Sequence, residues 1–353
     1  MTNPRVSICV PTYNGGEFLR ACLDSIQAQT LKDFEVILVD DASSDDSVAI
    51  ATEFAQRDAR FHLHRNATRL GLVGNWNHSL ELSRGTWIKF LFQDDLMAEN
   101  CLERLVASCE QWQRPFGFCA RELLFDDSVD ASTRAYLGQH QAMLQKIYGE
   151  QREVTAEAFA DLCASHPGEN LIGEPTVTIF HHSLAKQLGG FNPILVQLCD
   201  MEYWARIGAS SGVVHVPEKL ATFRVHQRST TAKNYSQRVY RVATLEPLVF
   251  RYVMLRQPQC RNIRQALYRR LGRRTAWWRC LHAAHDAWRL AHPRLFAAAS
   301  GDATLKKEWQ EVARAYPGLK LMAWSGVVLL KIRAALHAAG LKRGIKKPAP
   351  DGI

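Results

Sequence analysis

Asp94 and Asp95 end the stretch WIKFLFQDDLM, Trp87 to Met97, where an apolar run broken only by Lys89 stops. Like charges side by side repel, and a buried carboxylate without a partner is costly or takes up a proton. Such a pair suits a divalent cation, because hard Mg2+ or Mn2+ prefers carboxylate oxygens and is commonly shared with substrate phosphates. The plainer alternative is a helix N-cap, since DDLMAENCLERLVASCEQW reads as the beginning of a helix. Asp40 and Asp41 pose the same choice. A carboxylate at a strand end can accept hydrogen bonds from a ribose hydroxyl or a base N–H, but DASSD is also ordinary turn sequence. A third acid, Asp200, lies in LCDMEYW, a mostly apolar context that would hold a carboxylate apart from bulk water. It also reads as an N-cap before EYWARI, and Glu202 is a second acid in the same stretch. The Gly15–Gly16 pair is not a G-x-G-x-x-G fingerprint, and no G-x-x-x-x-G-K-[ST] occurs. Both absences argue against a dinucleotide oxidoreductase and a P-loop nucleotidase.

The elements around these acids alternate. RVSICVP (Arg5–Pro11) predicts a strand and Leu19, Cys22, Leu23 and Ile26 a helix over about 17–29. FEVILVD (Phe34–Asp40) is a near-continuous apolar strand of the kind buried on both faces of a parallel sheet. Ser44 is then expected to cap a helix with Asp45 and Asp46 in its first turn and Val48, Ala51, Phe54 and Ala55 on its apolar side. RFHLH (Arg60–His64) predicts a third strand, LELSRG the end of a helix at Gly85, and Trp87–Phe92 a fourth strand. Four alternations in about 90 residues predict an α/β domain with a mostly parallel sheet flanked by helices. In such sheets ligands bind at the carboxyl ends of the strands. VPTYN, VDDAS and FQDDL all fall at carboxyl ends, which makes them one site.

After about residue 240 the pattern becomes helical and rich in Arg, Trp and Ala. We therefore divide the chain into an α/β domain, 1–238, and a basic, all-helical C-terminal region, 239–353. The net charge of +9 is uneven: residues from 241 onward hold 22 Lys+Arg against 6 Asp+Glu, while 1–240 hold 22 against 29. Leu321–Lys347 is the most apolar part and ends in the basic cluster LKRGIKK. That stretch suits an interfacial helix on an anionic membrane surface, and equally an apolar stripe packed on the catalytic domain. No run approaches the roughly 18 apolar residues of a spanning helix, and MTNPRVSICVPTYN does not read as a signal peptide. Nine cysteines with no C-x-x-C pair fit reduced thiols in a cytoplasm.

The strongest signal is the order of four blocks. SICVPTYNGGEFLRACLDSIQAQTLKDFEVILVDDASSDDS resembles the opening of the family 2 glycosyltransferases, which have the Rossmann-like GT-A fold. The likeness continues through LGLVGNWNHSLELSRGTWIKFLFQDDLM, IGEPTVTIFHHSLAKQLGGFNPIL and CDMEYWARIGASSGVVHVPEKLATFRVHQRSTT, and so covers about residues 4–232. It implies that Pro11 and Tyr13 hold the nucleotide base, with the Tyr ring stacked on it. Asp41 would hydrogen-bond a pyrimidine, with Asp40 beside it. Gln93, Asp94 and Asp95 match the family's D-x-D-type motif, Asp94 toward the nucleotide and Asp95 as metal ligand. Gln93 stands where that motif has an acid, which leaves two carboxylates. Asp200 matches the catalytic base, although Cys199 occupies a position where Glu is common. Arg224 matches a contact to the diphosphate and His226 a contact to diphosphate or metal, while His181 and His182 read as structural.

Together these imply an inverting, Mg2+- or Mn2+-dependent transferase. It would move sugar from a UDP- or dTDP-sugar to a hydroxyl of a saccharide or lipid-linked oligosaccharide in bacterial envelope polysaccharide synthesis. The expected location is cytoplasmic, peripheral on the inner face of the membrane if 321–347 binds lipid. Two other classes stay open. A sugar-phosphate nucleotidyltransferase should carry an early Gly-rich basic loop, where TYNGGEFLRA offers only Arg20. A nucleic-acid-binding protein would explain the basic tail, but the acidic first domain and the lack of a binding motif oppose it, and no nucleic acid partner is expected.

Overall fold

The computed structural model of the chain describes residues 3–229, 234, 238–292 and 303–325. Most of the apolar basic stretch, from 326 to 347, lies outside the described residues. The chain divides into two compact units, Met1–Cys163 with Asn170–Asn234, and Ala164–Glu169 with Tyr235–Ile353.

In the first unit β1 (Val6–Thr12) and β2 (Phe34–Asp40) are buried at all seven positions each. Unbroken apolar runs without alternation have that outcome, since both faces of the strand must be covered. Between them α1 (Gly16–Gln27) buries Leu19, Cys22, Leu23 and Ile26, the four positions at helical spacing. The next helix, α2 (Ser47–Arg57), starts later than expected. Ser44 does not cap it. Its N–H donates to Asn14 Oδ1 at 2.9 Å, while the Asp45 carboxylate accepts from the Ser47 N–H at 3.1 Å and from the Gly16 N–H at 2.9 Å. Asp45 thus closes a local turn and ties it to the start of α1, which delays the helix by two residues.

There follow β3 (Phe61–Arg65), α3 (Leu72–Leu82), β4 (Trp87–Phe90), β5 (Leu96–Met97) and α4 (Cys101–Gln111). Strand β4 stops at Phe90, two residues short of the apolar run. Because α4 begins only at Cys101, behind Asn100, neither Asp94 nor Asp95 caps it. The unit is completed by β6 (Phe116–Phe125), α5 (Ala131–Tyr148), β7 (Glu153–Val154), α6 (Ala156–Ser165, its last two residues counted with the second unit), β8 (Thr178–His181), α7 (His182–Leu188), α8 (Cys199–Ser211) and β9 (Val213–Val225).

The strands form one nine-stranded sheet in the order β3-β2-β1-β4-β8-β6-β9-β5, with β7 also on β9. β1 to β4 pair in parallel, as do β6 and β9, and these are the long ladders. β8 enters antiparallel between β4 and β6. One short ladder matters most for the site. β5 runs antiparallel to β9 with Leu96 opposite Thr222 and Met97 opposite Ala221. Two residues further along that register, the acid pair meets Arg224.

The second unit is helical where described: α9 (Glu246–Arg256), α10 (Arg261–Leu271), α11 (Arg273–Ala291) and α12 (Ala303–Ala315). Its core combines Val249, Val253 and Ile263 with small residues such as Ala284 and Ala287, and it encloses Arg241 beside Glu246 and Glu311. A buried guanidinium requires such acids. Among the described residues no helix is long and apolar enough to cross a membrane. All nine cysteines are free thiols, and all but Cys163 are buried.

Candidate functional site

The carboxyl ends of β1, β2 and β4 converge. At the end of β1, Pro11 and Thr12 are buried while the Tyr13 ring is 36% exposed. Gln93 clamps the backbone of Tyr13 from both sides, accepting from its N–H at 2.8 Å and donating to its carbonyl at 3.2 Å. The residue that departs from an acidic motif is thus spent on joining two strand ends. A Cβ on Gly15 would come within 2.3 Å of the Gln93 side-chain amide, so a side chain there would displace Gln93 from Tyr13.

Both acids at the end of β2 are buried. Asp41 accepts from Asn66 Nδ2 at 2.9 Å, from the Leu70 N–H at 2.7 Å and from the Gly71 N–H at 2.9 Å. It therefore shapes the loop between β3 and α3, and that loop carries Arg69, whose guanidinium lies 3.9 Å from the centroid of the Tyr13 ring. Arg69 escaped the sequence reading. The signal was a cation in NATRLG one turn ahead of α3, legible only if that loop is known to fold back on β1. Asp40 accepts from the Ser43 N–H at 3.1 Å, and its Oδ1 is buried without a hydrogen-bond partner. An orphaned buried acceptor is rare enough to mark a place for an incoming donor group.

The second cluster is the acid pair, and its two members face different ways. Asp95 is fully buried; its Oδ2 accepts from the Thr176 hydroxyl and its Oδ1 from the Arg224 N–H at 2.9 Å. Burial above all, and then the neighbouring Asp94, push its pKa well above the carboxylate range, against the opposing pull of those two donors. Asp94 is 22% exposed, and its Oδ2 lies 3.0 Å from His226 Nε2. Its carbonyl accepts from Arg224 Nε at 3.0 Å, and the Arg224 guanidinium packs 4.6 Å from the Phe18 ring centroid. The His226 ring lies 5.1 Å from Phe18, and its Nδ1 is buried without a partner. The fold thus joins Asp94, Asp95, Arg224 and His226, which the sequence reading named separately.

Among the described residues no group of three or more His, Cys, Asp or Glu side chains is gathered to hold a metal. The Asp94–His226 pair nevertheless fits a hard cation that keeps water and substrate oxygens for its other positions, because Mg2+ is commonly bound through one or two carboxylates plus phosphates.

Asp200 stands apart from the acid pair in sequence, in the first turn of α8. The helix is entered from Leu198, so Asp200 is not its N-cap; its Oδ1 accepts from the Met201 N–H at 2.6 Å. Glu202 is committed elsewhere. It is fully buried and receives Arg206 Nε at 3.0 Å and Nη2 at 2.9 Å, while Arg206 also donates to the Leu188 and Gly190 carbonyls. Removing one partner strands the other charge, so Glu202→Leu is expected to lower stability by about 3–5 kcal/mol. Urea melts measure this, and a catalytic Glu202 would instead lose turnover at unchanged stability.

His181 caps α7 by accepting from the Ser183 N–H, and His182 pairs with the Gly85 carbonyl. Burial pushes both below the ordinary imidazole range, which favours the neutral form.

A parallel half-sheet ending in Tyr13, Asp40 and Asp41, joined to a mixed half that brings β9 back against two acids, has the architecture of the GT-A glycosyltransferases. The family model described as Glycosyl transferase family 2 matches residues 7–119. The uncharacterized protein MT1568 of Mycobacterium tuberculosis is similar, 34% identical over 221 residues that make up 63% of this chain and 67% of that protein. The chain belongs to glycosyltransferase family 2. Among solved structures it is similar to TarS of S. aureus in complex with UDP-GlcNAc, with a TM-score of 0.57 and 16% identity over 87% of this chain and 79% of that one. It is also similar to the mannosyltransferase PcManGT of Pyrobaculum calidifontis in complex with GDP-Man and Mn2+, with a TM-score of 0.53 and 19% identity over 93% of this chain and 87% of that one. At these identities the two structures speak for the fold.

Proposed function

We propose that this glycosyltransferase moves a sugar from a pyrimidine nucleotide donor, UDP or dTDP, to an acceptor hydroxyl with inversion, assisted by a divalent cation. The observation that carries the reading is the meeting of Asp94 and His226, 3.0 Å apart, at the carboxyl end of the sheet. In this reading Asp94 rather than Asp95 faces the cation, because both oxygens of Asp95 are already engaged inside the protein. The cation, when bound, supplies positive charge that stabilises the departing diphosphate.

The protein's own residues supply the rest. Tyr13 offers a ring face to the base, with Pro11 behind it and Arg69 on the same platform. Asp40 offers its unpaired Oδ1 to a base or ribose donor, while Asp41, both of whose oxygens are engaged by Asn66, Leu70 and Gly71, holds the loop beside it. Arg224 places a guanidinium on the diphosphate side. Asp200 takes the proton from the acceptor hydroxyl as its oxygen bonds to the sugar's anomeric carbon, while the bond from that carbon to the diphosphate oxygen breaks on the opposite face. The acceptor class, a saccharide or lipid-linked oligosaccharide of a bacterial envelope, rests on the family resemblance. So does a cytoplasmic site near the inner face of the membrane, which the free thiols favour.

The test is thermal-shift screening with UDP-, dTDP- and GDP-sugars, each with and without Mn2+. Ligand present at about 100 times its Kd stabilises by about 2.7 kcal/mol, so a pyrimidine sugar with Mn2+ should raise Tm by several degrees. A response to GDP-sugars alone would overturn the pyrimidine assignment, and equal shifts without Mn2+ would overturn the cation.

A further inference from the structure

We infer that Lys89 is a positioning residue for the phosphate end of the site, acting through Thr176 and Asp95. The inference rests on the reading of Asp94 and His226 as that end. Lys89 lies in the middle of β4, with Ile8 of β1 and Ile179 of β8 as its neighbours in register, and it is completely buried. An aliphatic residue would sit there at far less cost than an ammonium group, since burial disfavours the charge and lowers the lysine pKa.

The ammonium donates to the Phe90 carbonyl at 2.9 Å and to the Thr176 carbonyl. Thr176 in turn donates its hydroxyl to Asp95 Oδ2, and Asp95 Oδ1 holds the Arg224 N–H. Arg224 Nε reaches the Asp94 carbonyl, and two residues beyond it His226 meets the Asp94 carboxylate. Every residue-to-residue link from Lys89 to Asp94 is thus a named hydrogen bond; Thr176 and Asp95 are buried and Arg224 is half-buried. The chain of bonds links three segments far apart in sequence: β4, the turn Pro175–Val177 and the end of β9. Asp95 becomes intelligible in this light. It is the carboxylate through which a charge in the core sets the backbone of Arg224 against Asp94. Without Lys89 the Thr176 carbonyl loses its donor and the turn that aims the Thr176 hydroxyl is released.

The experiment uses the full-length protein with Lys89→Met and Thr176→Val, singly and together. Calorimetry measures the affinity for UDP in Mn2+ and for uridine, which lacks the diphosphate, beside a thermal melt of each variant. We expect uridine affinity within about twofold of wild type and UDP affinity down about tenfold or more in each single variant, the scale of losses when supporting residues around a cation are removed. The double variant should fall no further than the worse single one, because both cut the same chain. Wild-type UDP affinity in folded Lys89→Met, equal losses for uridine and UDP, or multiplying losses in the double variant would overturn the inference. If Lys89→Met does not fold, Thr176→Val decides by the same measure. If the wild-type protein binds neither UDP nor uridine, the functional reading itself fails, and the positioning role with it.

Discussion

If Asp200 is the base, Asp200→Asn is expected to lower turnover by about 100-fold or more and to leave donor affinity within about twofold, because the amide keeps the shape of the carboxylate and cannot take the acceptor's proton. The geometry supports the contrast with its neighbour. Asp200 lies partly open in the first turn of α8, whereas Glu202 is sealed in with Arg206. Steady-state kinetics with the donor identified by thermal shift, together with direct binding of that donor, separates the two quantities. A fall in donor affinity at undiminished turnover would move Asp200 into the binding site and leave the base to be found elsewhere.

Chelation is the second large effect. Dialysis against EDTA should abolish transfer and Mn2+ should restore it. Asp94→Asn should lower activity by about 1,000-fold, within what removal of a preorganised charge-stabilising group costs. The companion variant discriminates between the two acids. Asp94 is partly exposed, so its replacement should leave the melting temperature near that of wild type. Asp95→Asn should lower it, since the buried carboxylate holds both Thr176 and the Arg224 backbone. The reverse pattern would make Asp95 the cation's direct partner. Full activity after exhaustive chelation would remove the cation from the mechanism.

Much of this was legible before any coordinates. β1, α1, β2 and β3 fall where apolar runs and helical spacing put them, and the resemblance to family 2 followed from blocks in the right order. Facing was not legible. Two adjacent aspartates look alike on paper, and only the ladder of β5 on β9 decides that one turns into the core and the other outward. Ser44 failed as a cap because Asp45 competes for the same turn. Arg69 was missed because its significance depends on how Asp41 folds a loop 25 to 30 residues away. Lys89 looked like an interruption in a strand, and its partner Thr176 lies 87 positions further along the chain.

That separation shapes the order in which the site comes into being. The bonds from Arg224 and His226 to the acid pair span 129 to 132 residues, whereas the β1–β2 ladder and its helix are local. Contacts between distant segments form late, because the loop they close must lose its freedom first. A nascent chain that has emerged only through β8 already contains Asp94, Asp95, Lys89 and Thr176, but not the strand that orients them. The end of the sheet around Tyr13 and Asp41 can therefore assemble during synthesis, while the end around the acid pair waits for β9, the last strand of the described sheet to leave the ribosome.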